Sequence, residues 1–423
     1  MTETKLETLD FSALLRPGDR VAWGQAAAEP VLLTRALMQQ RHSIGGRFSV
    51  FMGATWSDTL DPTFADIVDF QSYCGSGTNR LLADAGVLDV LSCHYSDLPA
   101  ALGAGGANAV DVLLLQLAPP GPDGRFSLSV AHEYLTPLVD SARLIVAEVN
   151  AQAPWTYGER SLGLEDIDVL VRTDHPLVEP ARATGSTQEE IIAERVAGLI
   201  DDGATLQAGI GALPEAVLAR LGERHHLGLH TGALGDAAAG LIECGAVTNE
   251  RKALDRGVSI AGLMMGSGKV HRLAHRNPQI QFRSTAYTHG LATLAALRGL
   301  VAINSAVEVD LSGQVNAEVA AGRYVGAVGG ALDFARGAHA AGGLSIIALP
   351  SRSGRHSRIV SRLDGPVSTP RSDAAFIVTE HGVADLRGTS LRQRQQRMLD
   401  VAHPEDRALL ERAAFSHSRS FPS

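Results

Sequence analysis

The chain has 423 residues, 45% hydrophobic and 20% charged, which is globular composition and more than one compact core ordinarily holds, so two domains are expected. A net charge of -9 with no dense Lys/Arg cluster, and aromatics at only 5%, excludes a phosphate-neutralising or base-stacking surface, and with it nucleic acid as a partner. Residues 1–20 carry Glu3, Glu7 and Asp10 without an apolar signal core, and no apolar run approaches the ~20 residues of a membrane span, so a soluble cytoplasmic protein without a membrane partner is expected.

In chain order, residues 30–40 have helical period, and residues 110–117 and 144–149 are short apolar runs bounded by polar or turn residues, which read as buried strands. A polar stretch at 179–185 precedes Ser186-Thr187-Gln188-Glu189, a capping box that starts a helix with Ile192, Val196, Leu199 and Ile200 on one face. A second domain is therefore expected at 186–423, after a first at 1–185. Residues 204–210 then form an apolar run into the glycine turn Gly209-Ile210-Gly211-Ala212-Leu213-Pro214-Glu215, followed by a helical segment at 213–221. Further strands are expected at 344–349 and 375–378. The alternation implies an α/β protein with two mostly parallel sheets and crossover helices.

The turn at Gly209 lets backbone N–H groups and a helix start approach an anionic or carbonyl ligand, although the same spacing fits an ordinary tight turn. It is not the dinucleotide fingerprint, because Pro214 stands where the third glycine belongs. A second cluster, Gly326-Ala327-Val328-Gly329-Gly330-Ala331-Leu332-Asp333-Phe334, could aim amides at a developing oxyanion or simply turn a strand into a helix.

Other motifs fail. Gly266-Ser267-Gly268-Lys269 lacks the first P-loop glycine and has Val270 for Ser or Thr. His271 and His275 share a helical spacing but lack the zincin glutamate, no G-x-S-x-G elbow appears, and Cys74, Cys93 and Cys244 stand apart, so no metal, disulfide framework or serine hydrolase is expected. Glu148, Glu308, Asp310, Asp333, Glu380 and Asp385 lie beside apolar strands, where each reads more readily as a cap or ion pair than as a catalyst.

These segments together resemble the acetyl-CoA hydrolase/transferase family, which includes 4-hydroxybutyrate, butyryl, succinyl:acetate and itaconate CoA-transferases. The likeness rests on Gly209-Ile210-Gly211-Ala212-Leu213-Pro214, Leu229-His230-Thr231, Ala302-Ile303-Asn304-Ser305, Gly329-Gly330-Ala331-Leu332-Asp333-Phe334 and Thr379-Glu380-His381-Gly382. More loosely, it extends to Leu15-Arg16-Pro17-Gly18 and Ala28-Glu29-Pro30. The resemblance implies two similar α/β domains with the active site at the domain interface, and a coenzyme A thioester as substrate with no tightly bound cofactor. It also implies a small carboxylic acid as second substrate. The expected assembly is a homo-oligomer. It further implies that Gly209, Ile210, Gly211, Ala212 and Leu213 line the CoA site with Gly326, Gly329 and Gly330, and that the turn at Ala341 flanks it.

Family chemistry uses a glutamate nucleophile immediately after His-Thr, and Gly232 stands there. Either another carboxylate serves, with Glu29 and Asp58 as candidates, or the chain is an acyl-CoA hydrolase, or it binds a CoA ester without turnover. Glu29 also reads as a helix-start residue and Asp58 as an Asx turn. Trp56, His289 and Tyr324 could shape an acyl pocket or merely pack.

Overall fold

The structure, a computed structural model, describes residues 1–180 and 185–418, the last four of these by backbone alone. It contains two compact units. The first holds the chain from Met1 to the undescribed stretch 181–184 together with Gly232–Asp236 and Val258–Gly290. The second holds the chain from that stretch to Thr231, then Ala237–Gly257, then Leu291 onward. Two segments beyond Ser186 thus pack with the first unit, a return of the chain that periodicity does not reveal. Most of the polar stretch at 179–185 lies outside the described residues.

The first unit is built on an eight-stranded, wholly parallel sheet in the order Thr2–Thr4, Val169–Thr173, Leu144–Asn150, Val112–Leu117, Arg20–Trp23, Phe48–Met52, Val68–Ser72, Leu88–Val90. Parallel strands are covered on both faces, so they read as continuous rather than alternating apolar runs. Val112–Leu117 shows this: all six residues are buried. The core around Trp23, Leu33, Leu37, Phe48, Val112 and Leu114 is closed by the helix Val31–Gln40. Each such side chain contributes ~1.5–3 kcal/mol by leaving water.

The second unit repeats the plan with six strands, ordered Gly228–Leu229, Thr205–Ala208, Leu300–Ser305, Leu344–Ala348, Phe376–Thr379, Gly382–Asp385. All neighbours run parallel except the last pair, which is antiparallel. Its first helix, Thr187–Ala197, starts as expected: the Ser186 hydroxyl accepts the Glu189 N–H, and the Glu189 carboxylate accepts the Ser186 N–H. Ile192, Val196 and Ile200 are buried, as the helical period requires. The strands expected at 110–117, 144–149, 344–349 and 375–378 are all present, within two residues of their expected ends. Among the described residues no helix is long and apolar enough to cross a membrane, and no cluster of side chains could hold a metal ion.

Candidate active site

In the first unit the chain leaves strand Arg20–Trp23 through Gly24 into a single helical turn, Ala26–Ala28. Ala26 holds a φ of +53° while fully buried, a left-handed conformation that costs a non-glycine residue about 1 kcal/mol or more. A Cβ on Gly24 would stand 2.7 Å from that of Ala28, which accounts for glycine there. This strained turn sets two side chains side by side in sequence space: Gln25 before it and Glu29 after it.

Gln25 is the hub of a buried polar network. Its Oε1 accepts the Ala54 N–H at 3.0 Å and the Tyr73 hydroxyl at 2.8 Å. A backbone N–H can only donate, so this contact fixes the amide orientation and turns the Nε2 group the other way. Nε2 donates to both carboxylate oxygens of Glu133, at 2.9 and 2.8 Å, and to the Tyr95 hydroxyl. That hydroxyl in turn donates to Glu133 Oε2. A Cβ on Gly53 would fall 2.6 Å from the Gln25 Cβ, so the hub requires glycine opposite it.

Glu133 is 1% exposed. Burial, the largest influence, pushes its carboxyl up to about 7, against the hydrogen bonds of Tyr95 and Gln25, which pull it down. Among the described residues its partners are neutral donors, and no cation is paired with it. Burial, then the charge of Glu133, drives the Tyr95 phenol well above its usual range, so it stays a donor. The Tyr95 ring lies 4.8 Å from that of His289, whose Nδ1 is 2.8 Å from the Thr288 hydroxyl.

Gly232 belongs to this neighbourhood. Its carbonyl accepts the N–H groups of Gly262, at 2.9 Å, and Leu263, at 3.1 Å. The Gly262 carbonyl accepts from His132 at 3.0 Å and from Glu133 at 3.4 Å. A Cβ on Gly262 would meet the Gly232 oxygen at 3.0 Å, the Glu133 Cβ at 3.6 Å and the Thr288 Oγ1 at 3.8 Å. Glu133 and Gly232 are therefore joined through one glycine, Gly262, to which the backbone of each is bonded.

The expected carboxylates fall elsewhere in the same unit. Glu29 is 1% exposed, and its oxygens accept three hydroxyls: Thr34 at 2.7 Å, Thr59 at 2.5 Å and Ser57 at 2.6 Å. Burial raises its pKa against those hydrogen bonds. Asp58 has a side chain 88% exposed, with its Oδ1 3.0 Å from Arg35 Nη2. Trp56 is half-buried nearby. Most carboxylates flagged beside strands serve structure: Glu148 bonds His175 Nε2 at 2.5 Å, Glu308 accepts from Asn316 and two backbone N–H groups, Asp310 closes an Asx turn on Ser312, Glu380 holds Ser351, and Asp385 pairs with Arg387. Asp333 lies in the first turn of its helix, where a negative charge is favoured. Gln25, Tyr95 and Glu133 escaped the sequence reading. The available signal was a lone carboxylate in the segment Ala131-His132-Glu133-Tyr134-Leu135.

In the second unit the turn at Gly209 sits at the carboxyl end of a parallel strand, where open α/β sheets bind ligands, whereas the Gly326 cluster follows the antiparallel pair Val319–Ala320 and Arg323–Tyr324. Strand Thr205–Ala208 ends at Gly209, whose N–H bonds the Ile303 carbonyl at 2.7 Å. Gly211, at φ +122°, caps the helix Ala212–Ala219, and Ile210 beside it is 58% exposed. Leu213 is buried beneath the turn. Behind them Asn304 and Gln207 exchange side-chain amide bonds, at 3.1 and 3.3 Å. Gly326 has its Cα so near the Ala317 carbonyl that a Cβ would stand 1.9 Å from that oxygen. Gly329 is at φ +54° and Gly330 caps the helix Ala331–Ala340, which Ala341 ends. The Tyr324 hydroxyl donates to Glu318 at 3.0 Å.

The N-terminal domain model of the acetyl-CoA hydrolase/transferase family matches residues 4–179, and the C-terminal domain model matches residues 266–414. A 4-hydroxybutyrate coenzyme A transferase of Clostridium kluyveri is 35% identical over 401 residues, 92% of each chain. Among solved structures, RipA from Yersinia pestis superposes with a TM-score of 0.93 at 32% identity, covering 98% of this chain and 97% of that one. A 4-hydroxybutyrate CoA-transferase from Porphyromonas gingivalis gives 0.81 at 30% identity, with 99% and 98% covered.

Proposed function

The chain belongs to the acetyl-CoA hydrolase/transferase family, and from that premise we propose that it moves coenzyme A from an acyl-CoA to a small carboxylic acid through a covalently engaged enzyme carboxylate. An attack by carboxylate on a thioester gives an anhydride, and the departing thiolate returns to conserve the thioester bond on the enzyme. Such chemistry needs a carboxylate stripped of water, neutral donors around it, and amides for each tetrahedral oxyanion.

The observation that carries this reading is the first unit's pair of buried carboxylates, Glu29 and Glu133, each bonded by hydroxyl or amide donors rather than by an arginine or lysine. A strong ion pair would hold a carboxylate's electrons and blunt its attack; neutral donors orient it with less loss of nucleophilicity. In the second unit, the turn of Gly209, Ile210, Gly211, Ala212 and Leu213 and the backbone of Gly326, Gly329 and Gly330 are assigned to line the coenzyme site. Ala341 flanks them and contributes no charge. Butyrate, 4-hydroxybutyrate, succinate and itaconate represent the acceptor class.

Hydrolysis is the competing reaction, because Gly232 removes the carboxylate that otherwise intercepts the thioester before water does. A thiol-release assay with acetyl-, butyryl- and succinyl-CoA separates the two. Transfer predicts formation of the acceptor's own CoA thioester, with little free thiol in the absence of an acceptor acid. Steady thiol release at the same rate without acceptor contradicts it, and absence of turnover across the whole panel contradicts catalysis altogether.

A further inference from the structure

Three carboxylates of the first unit compete for the role that Gly232 cannot fill. Asp58 is solvated and close to Arg35, a poor setting for attack on a thioester. Glu29 is dry and likewise held by neutral donors, but those hydroxyls tie it to the loop at residues 57–59 and the helix Val31–Gln40 rather than to the neighbourhood of Gly262. Glu133 alone has its backbone bonded to the residue that also bonds Gly232: both meet at Gly262.

We propose that Glu133 is the nucleophilic carboxylate of this chain, reaching the space that a side chain at position 232 would otherwise fill, with Gln25 and Tyr95 as the residues that hold it. The inference rests on the transferase reading above. A Cβ on Gly262 would stand 3.6 Å from the Glu133 Cβ and 3.0 Å from the Gly232 oxygen, so the Glu133 side chain starts beside the backbone pairing of Gly262 with Gly232. Gln25 and Tyr95 supply three donor contacts to the carboxylate, which orient it and then face the oxyanion formed when its carbonyl is attacked. The raised pKa agrees with this geometry, since a carboxyl near 7 combines a substantial anionic fraction at neutral pH with greater basicity than a solvated glutamate.

The steps balance without any co-reactant beyond the acceptor acid. A Glu133 oxygen bonds the acyl carbon of the donor thioester, and the C–S bond breaks with its electron pair on sulfur, giving an acyl-glutamyl anhydride and CoA thiolate. The thiolate bonds the glutamyl carbonyl carbon, the anhydride C–O bond breaks, and the donor leaves as a carboxylate. An acceptor carboxylate then attacks the glutamyl thioester and frees the thiolate. Attack of that thiolate on the acceptor's acyl carbon forms the new acyl-CoA and restores the Glu133 carboxylate. No proton is consumed and nothing is oxidised.

The test is peptide mass mapping of the intact enzyme after incubation with acyl-CoA and borohydride, which reduces an enzyme thioester to the alcohol, run beside Glu133→Gln. The expected result is modification on the peptide carrying Glu133, absent from the variant. Transfer by Glu133→Gln should fall by more than about a thousandfold while its melting curve and CoA binding stay near those of the parent. Modification of Glu29, Asp58 or any other residue overturns the proposal, as does a transferring wild type with no modified carboxylate, or transfer by Glu133→Gln within tenfold of the parent. Mapping on the wild type answers the question even where the variant folds poorly. A wild type that transfers to no acceptor instead defeats the transferase reading itself.

Discussion

At the scale of single residues, the reactivity proposed for Glu133 depends on how its carboxylate is held. The Tyr95 hydroxyl bond lowers the Glu133 pKa, so Tyr95→Phe raises it, and the acid limb of kcat/KM against pH moves to higher pH than in the parent. A limb that stays in place in Tyr95→Phe means the carboxyl being titrated is another. The same group leaves a mark on stability. Its folded pKa of about 7 lies above the ordinary 4.5, so the native state binds the extra proton between those values, and stability from this group is present at low pH and lost as pH rises through about 7. Chemical denaturation from pH 5 to 8 should show that loss in the parent and not in Glu133→Gln. None of this was legible in sequence, because Gln25 and Glu133 are 108 residues apart and neither sits in a motif. Glu29 was a candidate from its place on the turn at residues 26–30, where it also reads as a helix-start residue, and neither signal speaks of the three hydroxyls that enclose it.

At the scale of elements, local rules read well. The Ser186 capping box, the Gly209 turn and the Gly326 cluster each specify geometry within a few residues, and each forms as its spacing implies. What spacing does not give is the reason for a glycine: Gly326 is required by the Ala317 carbonyl, and Gly53 by Gln25. Gly326→Ala should lower stability by ~1–3 kcal/mol through overpacking against rigid backbone, read as a lower melting temperature, and weaken CoA binding measured by calorimetry. A variant that melts and binds like the parent contradicts both assignments. Ser186→Ala should cost ~1 kcal/mol by removing the cap, with no effect on CoA affinity.

At the scale of the whole molecule, the two parallel sheets were legible because strands buried on both faces spell continuous apolar runs. The return of residues 232–236 and 258–290 to the first unit was not, since no composition shift marks it. That return is what brings Gly262, bonded to both Gly232 and Glu133, into the first unit. If CoA passes between two acids through an enzyme carboxylate, oxygen atoms of the acceptor must reach the departing donor acid, and isotope tracing reads that passage. With a heavy-oxygen-labelled acceptor acid in ordinary water, each turnover passes one acceptor oxygen to the enzyme carboxylate and the next turnover delivers it to the departing acid. Over many turnovers the released donor acid should carry one label atom from the acceptor. Donor acid released with its new oxygen from solvent would contradict passage through an enzyme carboxylate.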